Sequence, residues 1–194
     1  MNLNVLRDKA YQCAIAHGWH DEDLSDEHFL CLIISELMEA VEADRKRKHS
    51  DIDNYNRYIN GMTIETNTER PFMVAYDMFI KGSVEEELAD VCIRILDLAG
   101  LRNVDLSSVS LPISNSAEHI NCRKALTFTE WCYDVTRVIV RYNKDNFPIG
   151  YLFIGILQEI CCIAEIIGFD LLWYIKQKMR YNELRPYKHG NKNY

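Results

Sequence analysis

Helical periodicity of the apolar residues extends through almost the whole of this chain. Apolar side chains recur at intervals of three and four, and no alternation of the kind that a strand requires is sustained. Only eight glycines and four prolines interrupt the 194 residues. A chain of this length suffices for one domain with its own core and is short for two. The pattern therefore predicts a single all-α domain over residues 1–194.

Capping signals divide this domain into predicted helices. Ser25 is followed by two acidic residues, and Ser83 begins the capping box S-V-E-E, so each is a predicted N-cap. Gly18, Gly100 and Gly168 are predicted helix ends. The predicted helices cover residues 3–17, 25–47, 71–80, 83–100, 125–142, 148–167 and 171–182. Residues 48–70 are predicted to be a mobile connection with a short helical turn, and residues 101–120 a second, loop-rich link.

Composition and charge exclude several classes of function. The formal net charge is −7. Non-specific electrostatic binding of nucleic acid needs basic patches, so we expect no nucleic-acid partner. The most apolar window, 149–167, is interrupted by Gly155, Gln158, Glu159 and Glu165, so we expect no membrane span. Seven cysteines without a C-x-x-C motif, and a start without signal-peptide layout, predict reduced thiols in the cytoplasm.

Two pairs of carboxylates lie in segments that are otherwise apolar enough to be buried. Glu36 and Glu39 stand in F-L-C-L-I-I-S-E-L-M-E-A-V, and Glu87 and Asp90 stand in E-E-E-L-A-D-V. Residues three apart share one face of a helix. A buried carboxylate is costly unless a cation pairs with it. Helix 25–47 offers no basic side chain within a turn of Glu36 and Glu39, so we expect a metal ion instead.

The second of these helices carries the sharper pattern. Its polar residues form one narrow stripe, Glu87, Asp90, Arg94 and Asp97, and apolar residues fill the rest of its circumference. If the two helices pack antiparallel, four carboxylates converge. Four hard oxygen donors suit Mg²⁺ or Mn²⁺, and Mg²⁺ commonly completes its coordination with phosphates. A nucleoside polyphosphate is therefore a natural substrate class.

Simpler interpretations stand beside this one. A single E-x-x-E on a helix is more often a solvated surface face than a metal site. Glu85 and Glu86 fit the roles of first-turn and capping residues, and Glu42 and Asp44 fit solvated charges beside R-K-R-K. A di-iron carboxylate bundle requires E-x-x-H pairs, and none of the six histidines follows a glutamate by three positions.

The spacing Glu36-x-x-Glu39, followed by Glu87-x-x-Asp90 within E-E-E-L-A-D-V-C-I-R-I-L-D-L-A-G, resembles the MazG-like group of the all-α nucleoside triphosphate pyrophosphohydrolases. The tail K-M-R-Y-N-E-L-R-P-Y-K-H-G is similar to the ending of many members. The resemblance covers residues 19–48, 83–106 and 170–192, and Ser35 stands where many members have glutamate.

The resemblance implies a site and a reaction. Glu36, Glu39, Glu87 and Asp90 would bind Mg²⁺, with Mn²⁺ as a substitute and Glu39 as the catalytic carboxylate. The implied reaction converts a nucleoside triphosphate and water into a nucleoside monophosphate and pyrophosphate. The expected triphosphate contacts are Lys178, Asn182 and Arg185, with Trp19 stacking on the base. The alternatives are that Trp19 is a packing residue and that Arg185 is an ordinary exposed cation.

The chain departs from the family pattern in two places. The gap between Glu39 and Glu87 is 47 residues, longer than usual, and residues 107–168 resemble extra helices inserted before the C-terminal helix. We expect this inserted region to build part of the substrate pocket. The implied fold is a helical bundle of the all-α NTP pyrophosphatase type.

The inserted region includes a possible degenerate copy of the first helical hairpin, at about residues 125–168. I-A-E-I-I-G near its end echoes I-L-D-L-A-G, and L-T-F-T-E-W-C-Y-D loosely echoes L-I-I-S-E-L-M-E-A. Two amphipathic hairpins alike only in composition are the alternative. Tyr133 and Gln158 fall where Glu39 and Asp90 would, so the copy lacks ligands.

These expectations combine into one functional hypothesis. Active sites in the family form where helices of two subunits meet, so we expect a homo-oligomer (a dimer) or an intrachain pseudo-dimer. The hypothesis is a cytoplasmic, Mg²⁺-dependent pyrophosphohydrolase that clears non-canonical or excess nucleoside triphosphates. A catalytically inactive helical interaction module of the same fold is the alternative.

Overall fold

The computed structural model describes residues 2–61 and 69–188, which form helices joined by loops, with no strand among them. The all-α prediction is therefore confirmed. The helices of the described residues are α1 (Leu3–Ala16), α2 (Asp26–Arg45), α3 (Ile52–Gly61), α4 (Glu69–Phe79), α5 (Val84–Leu101), α6 (Ala117–Lys124), α7 (Phe128–Val140), α8 (Ile149–Ile167) and α9 (Leu171–Glu183).

Most predicted helix ends agree with the structure. The side chains of Ser25 and Ser83 accept hydrogen bonds from the backbone N–H groups three residues later, so both predicted N-caps are confirmed. Gly18 and Gly168 have φ angles of 75° and 92°, the left-handed conformation that ends a helix. Gly100 is the next-to-last residue of α5, so the predicted end is one position early. It lies against Tyr11 of α1, where a Cβ atom would be 2.5 Å from the Tyr11 Cβ.

Two helices occupy segments that were predicted to be connections. α3 occupies ten residues of the stretch predicted to be mobile with a single turn, and residues 62–68 of that stretch lie outside the described residues. α3 is anchored by Tyr55, which is buried with its ring against Trp173. α6 was missed because it buries none of its residues and so lacks an apolar stripe.

The centre of the fold is α5, most of whose residues are buried. It packs against α1, α2, α8 and α9, and α2 also packs against α7. α7 and α8 contact each other, so the α7–α8 hairpin lies against the α2–α5 pair. The hypothesis that one hairpin is a degenerate copy of the other remains a prediction.

Helix α8 is the most apolar element of the described residues. It is long enough to cross a membrane and has a mean hydropathy of 1.8, but half of its most apolar window is buried against the rest of the protein. A core helix of a soluble protein has the same properties, so this is weak evidence for a membrane span.

All seven cysteines are free thiols, as expected. Four of them are buried, Cys13 is half-buried, and Cys31 and Cys122 are exposed. Burial raises the pKa of the Cys13 thiol to about 11, which disfavours a reactive thiolate.

Candidate functional site

A polar cleft of about 930 Å³ lies between α1, α2, α5 and α9. Every residue that the sequence predicted for the site lines this cleft: Trp19, Glu36, Glu39, Glu87, Asp90, Lys178, Asn182 and Arg185. The structure thus brings together residues separated by up to 166 positions in the chain. None of the lining residues among the described ones comes from α6, α7 or α8, so the expectation that residues 107–168 build part of the pocket is wrong.

Three of the four predicted metal ligands form a cluster. One carboxylate oxygen from each of Glu36, Glu39 and Glu87 lies within 4.8 Å of the others. Glu36 and Glu87 are each only 7% exposed, whereas Glu39 is exposed. The pairing of α2 with α5 produces this cluster, because it sets the i, i+3 face of one helix against the acidic stripe of the other. We call Glu36, Glu39 and Glu87 the carboxylate triad.

The fourth predicted ligand, Asp90, lies in the same cleft but binds a lysine. Lys178 of α9 places its Nζ 2.5 Å from carboxylate oxygens of both Asp90 and Glu86. Burial raises the pKa of Asp90, and the charge of Lys178 opposes that rise. Burial disfavours the charge of Lys178, but Asp90 and Glu86 outweigh it and hold the lysine pKa above its ordinary value. Lys178 is therefore occupied by carboxylates rather than open to a triphosphate.

Glu86 is a central residue that the sequence interpretation placed in a cap. It is 1% exposed, and its carboxylate accepts hydrogen bonds from Tyr76, Lys178 and the Gly82 backbone N–H. Only half of the predicted capping box is present, because the Glu86 N–H bonds to Ser83 without a return bond to the Ser83 N–H. The i, i+4 spacing of Glu86 and Asp90 was the sequence signal for a shared partner.

Glu36 has a basic partner, contrary to expectation. Arg94 Nε donates to its Oε1 over 2.9 Å. The sequence argument looked for cations only along the helix of Glu36, whereas the arginine comes from the stripe of the neighbouring α5. The expectation that a metal ion is the sole partner of Glu36 is therefore wrong.

Of the two buried carboxylates in the triad, Glu36 and Glu87, the charge of Glu87 is the less compensated. No basic side chain of the described residues lies within ion-pair distance of it. Burial first, and then the negative charges of Glu86 and Asp90, raise the pKa of Glu87 to about 9. Repulsion from these neighbouring carboxylates is therefore secondary to burial. A divalent cation would relieve both contributions, so hard oxygen donors in this arrangement fit Mg²⁺ or Mn²⁺.

The end of the cleft near α1 has a different chemistry. It is lined by Ala10, Ala14 and Leu32 together with Trp19. Behind this end, His20 Nε2 lies 2.7 Å from a carboxylate oxygen of the buried Asp97, and the imidazole packs against the rings of Tyr11 and Phe29. This largely apolar wall with one large aromatic ring suits a planar, weakly polar group of a ligand.

Two residues of α9 and the tail complete the lining. Asn182 faces the cleft, and its Oδ1 is buried without a hydrogen-bond partner in the described part of the chain. The Arg185 guanidinium lies 5.9 Å from the centre of the Tyr181 ring. Neither residue is engaged by a carboxylate of the described residues, so both are open to a ligand.

Comparisons of the chain with models of protein families, with curated proteins and with solved structures gave no match. The geometry of the cleft is therefore the basis for assigning a function.

Proposed function

We propose that this protein is a Mg²⁺-dependent nucleoside triphosphate pyrophosphohydrolase, which converts a (deoxy)nucleoside triphosphate and water into the monophosphate and pyrophosphate. Mn²⁺ is the expected substitute for Mg²⁺. The proposed role is clearance of non-canonical or excess nucleotides in the cytoplasm. The finer fold type, an all-α NTP pyrophosphatase bundle with α6–α8 inserted before the last helix, belongs to the same proposal.

The carboxylate triad is the observation that carries this proposal. Two helices far apart in sequence converge three carboxylate oxygens within 4.8 Å, and two of the three residues are buried. Like charges at this distance repel strongly in a partly desolvated cleft. An arrangement this unfavourable is expected where a cation compensates for it, and phosphates are the usual further ligands of Mg²⁺ in proteins.

In this proposal the ion would be held by Glu36, Glu39 and Glu87, and Asp90, which lines the same cleft, would complete the set. When bound, the ion supplies positive charge to the substrate phosphates. Asp90 would then share its carboxylate with Lys178. Arg94 orients Glu36 through their 2.9 Å hydrogen bond.

Glu39 is the proposed general base, because it is the exposed member of the triad and can reach a water molecule in the cleft. The water oxygen forms a bond to the α-phosphorus while the bond to the bridging oxygen of the β-phosphate breaks. The proton of the water passes to Glu39, and pyrophosphate departs with the bridging oxygen. Trp19 and the apolar wall near α1 would bind the base.

The assembly also remains a proposal. The family pattern places active sites between helices of two subunits, and here α7 packs against α2 while α8 packs against α5. Because none of the described residues that line the cleft comes from α7 or α8, both the intrachain pseudo-dimer, with one metal site per chain, and a homo-dimer that shares the cleft remain proposals. We propose neither a nucleic-acid nor a membrane partner.

A second candidate is a catalytically inactive helical interaction module of the same fold. The ion pair between Lys178 and Asp90 favours it, because a lysine already neutralises one of the four predicted ligands. Retention of the complete triad favours the enzyme. Metal binding without turnover of any nucleotide would identify the module.

The decisive experiment measures pyrophosphate release from a panel of nucleoside and deoxynucleoside triphosphates with Mg²⁺. Replacing Glu39 by Gln removes the proposed base with little change in shape, and a loss of about 100-fold or more in kcat is expected. Asp90→Ala is expected to lose activity as well. Glu42→Gln is the matched control, since Glu42 is exposed one turn further along α2 and pairs with Lys46.

The control variant should retain the wild-type rate. Equal activity of wild type, Glu39→Gln and Asp90→Ala would remove the proposed site. Absence of pyrophosphate release from every nucleotide would reject the enzyme.

A further inference from the structure

The cleft has a basic end, where the end of α2 meets the start of α5. The antiparallel pair α2 and α5 brings the end of α2 beside the start of α5, and the Lys48 carbonyl accepts a hydrogen bond of 3.0 Å from the Val84 N–H. Lys48, Lys81 and Gly82 line the cleft here. None of these three residues was predicted from the sequence to belong to the site.

Most cations of the cleft are already bound to carboxylates. Arg94 pairs with Glu36, and Lys178 pairs with Glu86 and Asp90. Lys81 donates to both Asp77 and the hydroxyl of Tyr181. These charges position side chains but are largely neutralised within the protein.

Lys48 and Arg185 are different. Neither side chain has a carboxylate within 4.0 Å among the described residues, although both line the cleft. Tyr181 links Arg185 to Lys81, because the Arg185 guanidinium lies 5.9 Å from the centre of the Tyr181 ring and Lys81 donates a 2.9 Å hydrogen bond to the Tyr181 hydroxyl. Two uncompensated cations therefore face one end of a cleft whose middle is acidic.

The backbone at Gly82 leaves the space that the Lys48 ammonium occupies. Gly82 has a φ of 71°, and a Cβ atom at this position would lie 2.7 Å from the Lys48 Nζ. Any other residue would strain this backbone, and its Cβ would require the Lys48 ammonium to move. Gly82 thus permits the close approach of Lys48 that the structure shows.

The groups that line the cleft are those that one ligand requires. Apolar and aromatic residues near α1, the carboxylate triad and the cations Lys48, Lys81 and Arg185 all face the same cleft. A nucleoside triphosphate has matching parts: a base, a phosphate next to the reacting bond, and two further phosphates. We propose that Lys48, with Lys81 and Arg185 as the other cations, forms a subsite for the outer phosphates, the part that leaves as pyrophosphate.

This proposal rests on the proposed function for its place in the reaction, but its binding chemistry can be tested separately. Lys48 would act by electrostatic attraction and hydrogen bonding to phosphate oxygens. A monophosphate product lacks the outer phosphates, so it should not depend on Lys48. The subsite therefore predicts a difference between ligands that carry the outer phosphates and those that do not.

The test measures binding of inorganic tripolyphosphate to the full-length protein by calorimetry, with Lys48→Met, Lys48→Arg and Lys46→Met as variants. Lys48→Met should weaken binding about tenfold, the effect of losing one charge-assisted contact. Lys48→Arg should retain most of the affinity. Lys46→Met is the control, since Lys46 is 65% exposed, lies outside the cleft and pairs with Glu42.

A second measurement uses a nucleotide that the panel identifies as a substrate. Lys48→Met should raise its KM about tenfold and leave the inhibition constant of the corresponding monophosphate unchanged. Failure of wild type to bind tripolyphosphate, or equal binding by wild type and Lys48→Met, would overturn the subsite even if nucleotides are hydrolysed. Binding that depends on Lys48 without hydrolysis of any nucleotide would instead reject the proposed enzyme and keep the subsite.

Discussion

The α2–α5 pair and the α7–α8 hairpin each contain a carboxylate that is largely shielded from solvent. The two carboxylates differ in whether other side chains of the described residues compensate their charge. Glu159 of α8 accepts hydrogen bonds from Arg123 over 2.8 Å and from Trp131 over 3.2 Å. Glu87 of α5 has no ion pair within the described residues, and its pKa is raised to about 9. The charge of Glu159 is thus compensated by protein partners, whereas burial of Glu87 is not offset by an ion pair within the described residues.

The same contrast holds for the positions that the possible duplication aligns. Glu39 and Asp90 line the cleft, whereas their counterparts Tyr133 and Gln158 do not. Tyr133 is 66% exposed. Two hairpins with similar amphipathic patterns thus differ in whether their polar residues face a cleft, and that difference decides which of them can bind a ligand.

The largest predicted effect comes from converting partnered carboxylates into unpartnered ones. Lys178→Met leaves Glu86 and Asp90 buried without their cation, and we expect a loss of about 3 kcal/mol in the free energy of unfolding. Chemical denaturation at neutral pH measures it. Lys176→Met is the control, because Lys176 is exposed on the same helix and should change stability little.

A loss for Lys178→Met no larger than for Lys176→Met would show that Glu86 and Asp90 do not depend on the lysine. Adding Asp90→Asn to Lys178→Met should recover part of the stability, because it removes one of the two stranded charges.

The next prediction compares the same substitution, glutamate to glutamine, at the two contrasting carboxylates. Glu87→Gln should reduce Mg²⁺-dependent pyrophosphate release about 100-fold, because a neutral amide is a poor ligand for the ion. Glu159→Gln should keep the wild-type rate and instead lose about 1–2 kcal/mol of stability, since Arg123 loses one of its two carboxylate partners. Initial rates and denaturation curves of the two variants measure both effects. The distinction between scaffold and site fails if both variants lose activity equally.

The pH dependence of stability separates the two carboxylates further. The folded-state pKa of Glu87, about 9, lies above its ordinary value of 4.5, so folding favours the protonated form. Its contribution is fully present below pH 4.5 and is lost as the pH rises towards 9. Mg²⁺ should reduce this loss by stabilising the ionised carboxylate.

The measurement is the free energy of unfolding from pH 5 to 9, with and without Mg²⁺, for wild type and Glu87→Gln. The variant should lose less stability over this range and respond less to Mg²⁺. Identical pH profiles for wild type and variant would contradict the assignment of the raised pKa to Glu87.

The sequence predicted the helices and the lining of the cleft well, because both depend on local patterns. Periodicity and caps located most helix ends, and the i, i+3 spacings of Glu36 with Glu39 and of Glu87 with Asp90 placed four carboxylates on two faces. The antiparallel packing of α2 against α5 then sufficed to bring these two faces together. α3 and α6 were not predicted as helices, because neither carries a long apolar stripe.

The partners of those carboxylates could not be predicted, because they come from other elements. Arg94 reaches Glu36 across a helix interface, and Lys178 reaches Asp90 from α9, 88 positions away in the chain. Glu86 was assigned to a cap by a local rule, and its role depends on Tyr76 and Lys178. Local spacing locates candidate ligands, but only the tertiary structure shows which charges remain uncompensated.

The smallest predicted effect concerns Gly155, the counterpart of Glu87 in the possible copy. Gly155 lies in the middle of α8, and beyond its chain neighbours and the nearby backbone of α8 itself, no atom of the described residues lies within 4 Å of where its Cβ would be. Gly155→Ala should therefore raise the free energy of unfolding by about 0.5–1 kcal/mol, since alanine favours the helix and meets no clash. Thermal or chemical denaturation at several protein concentrations measures it. A destabilisation that grows with protein concentration would mean that this face of α8 packs against a second chain, and would favour the homo-dimer over the intrachain pseudo-dimer.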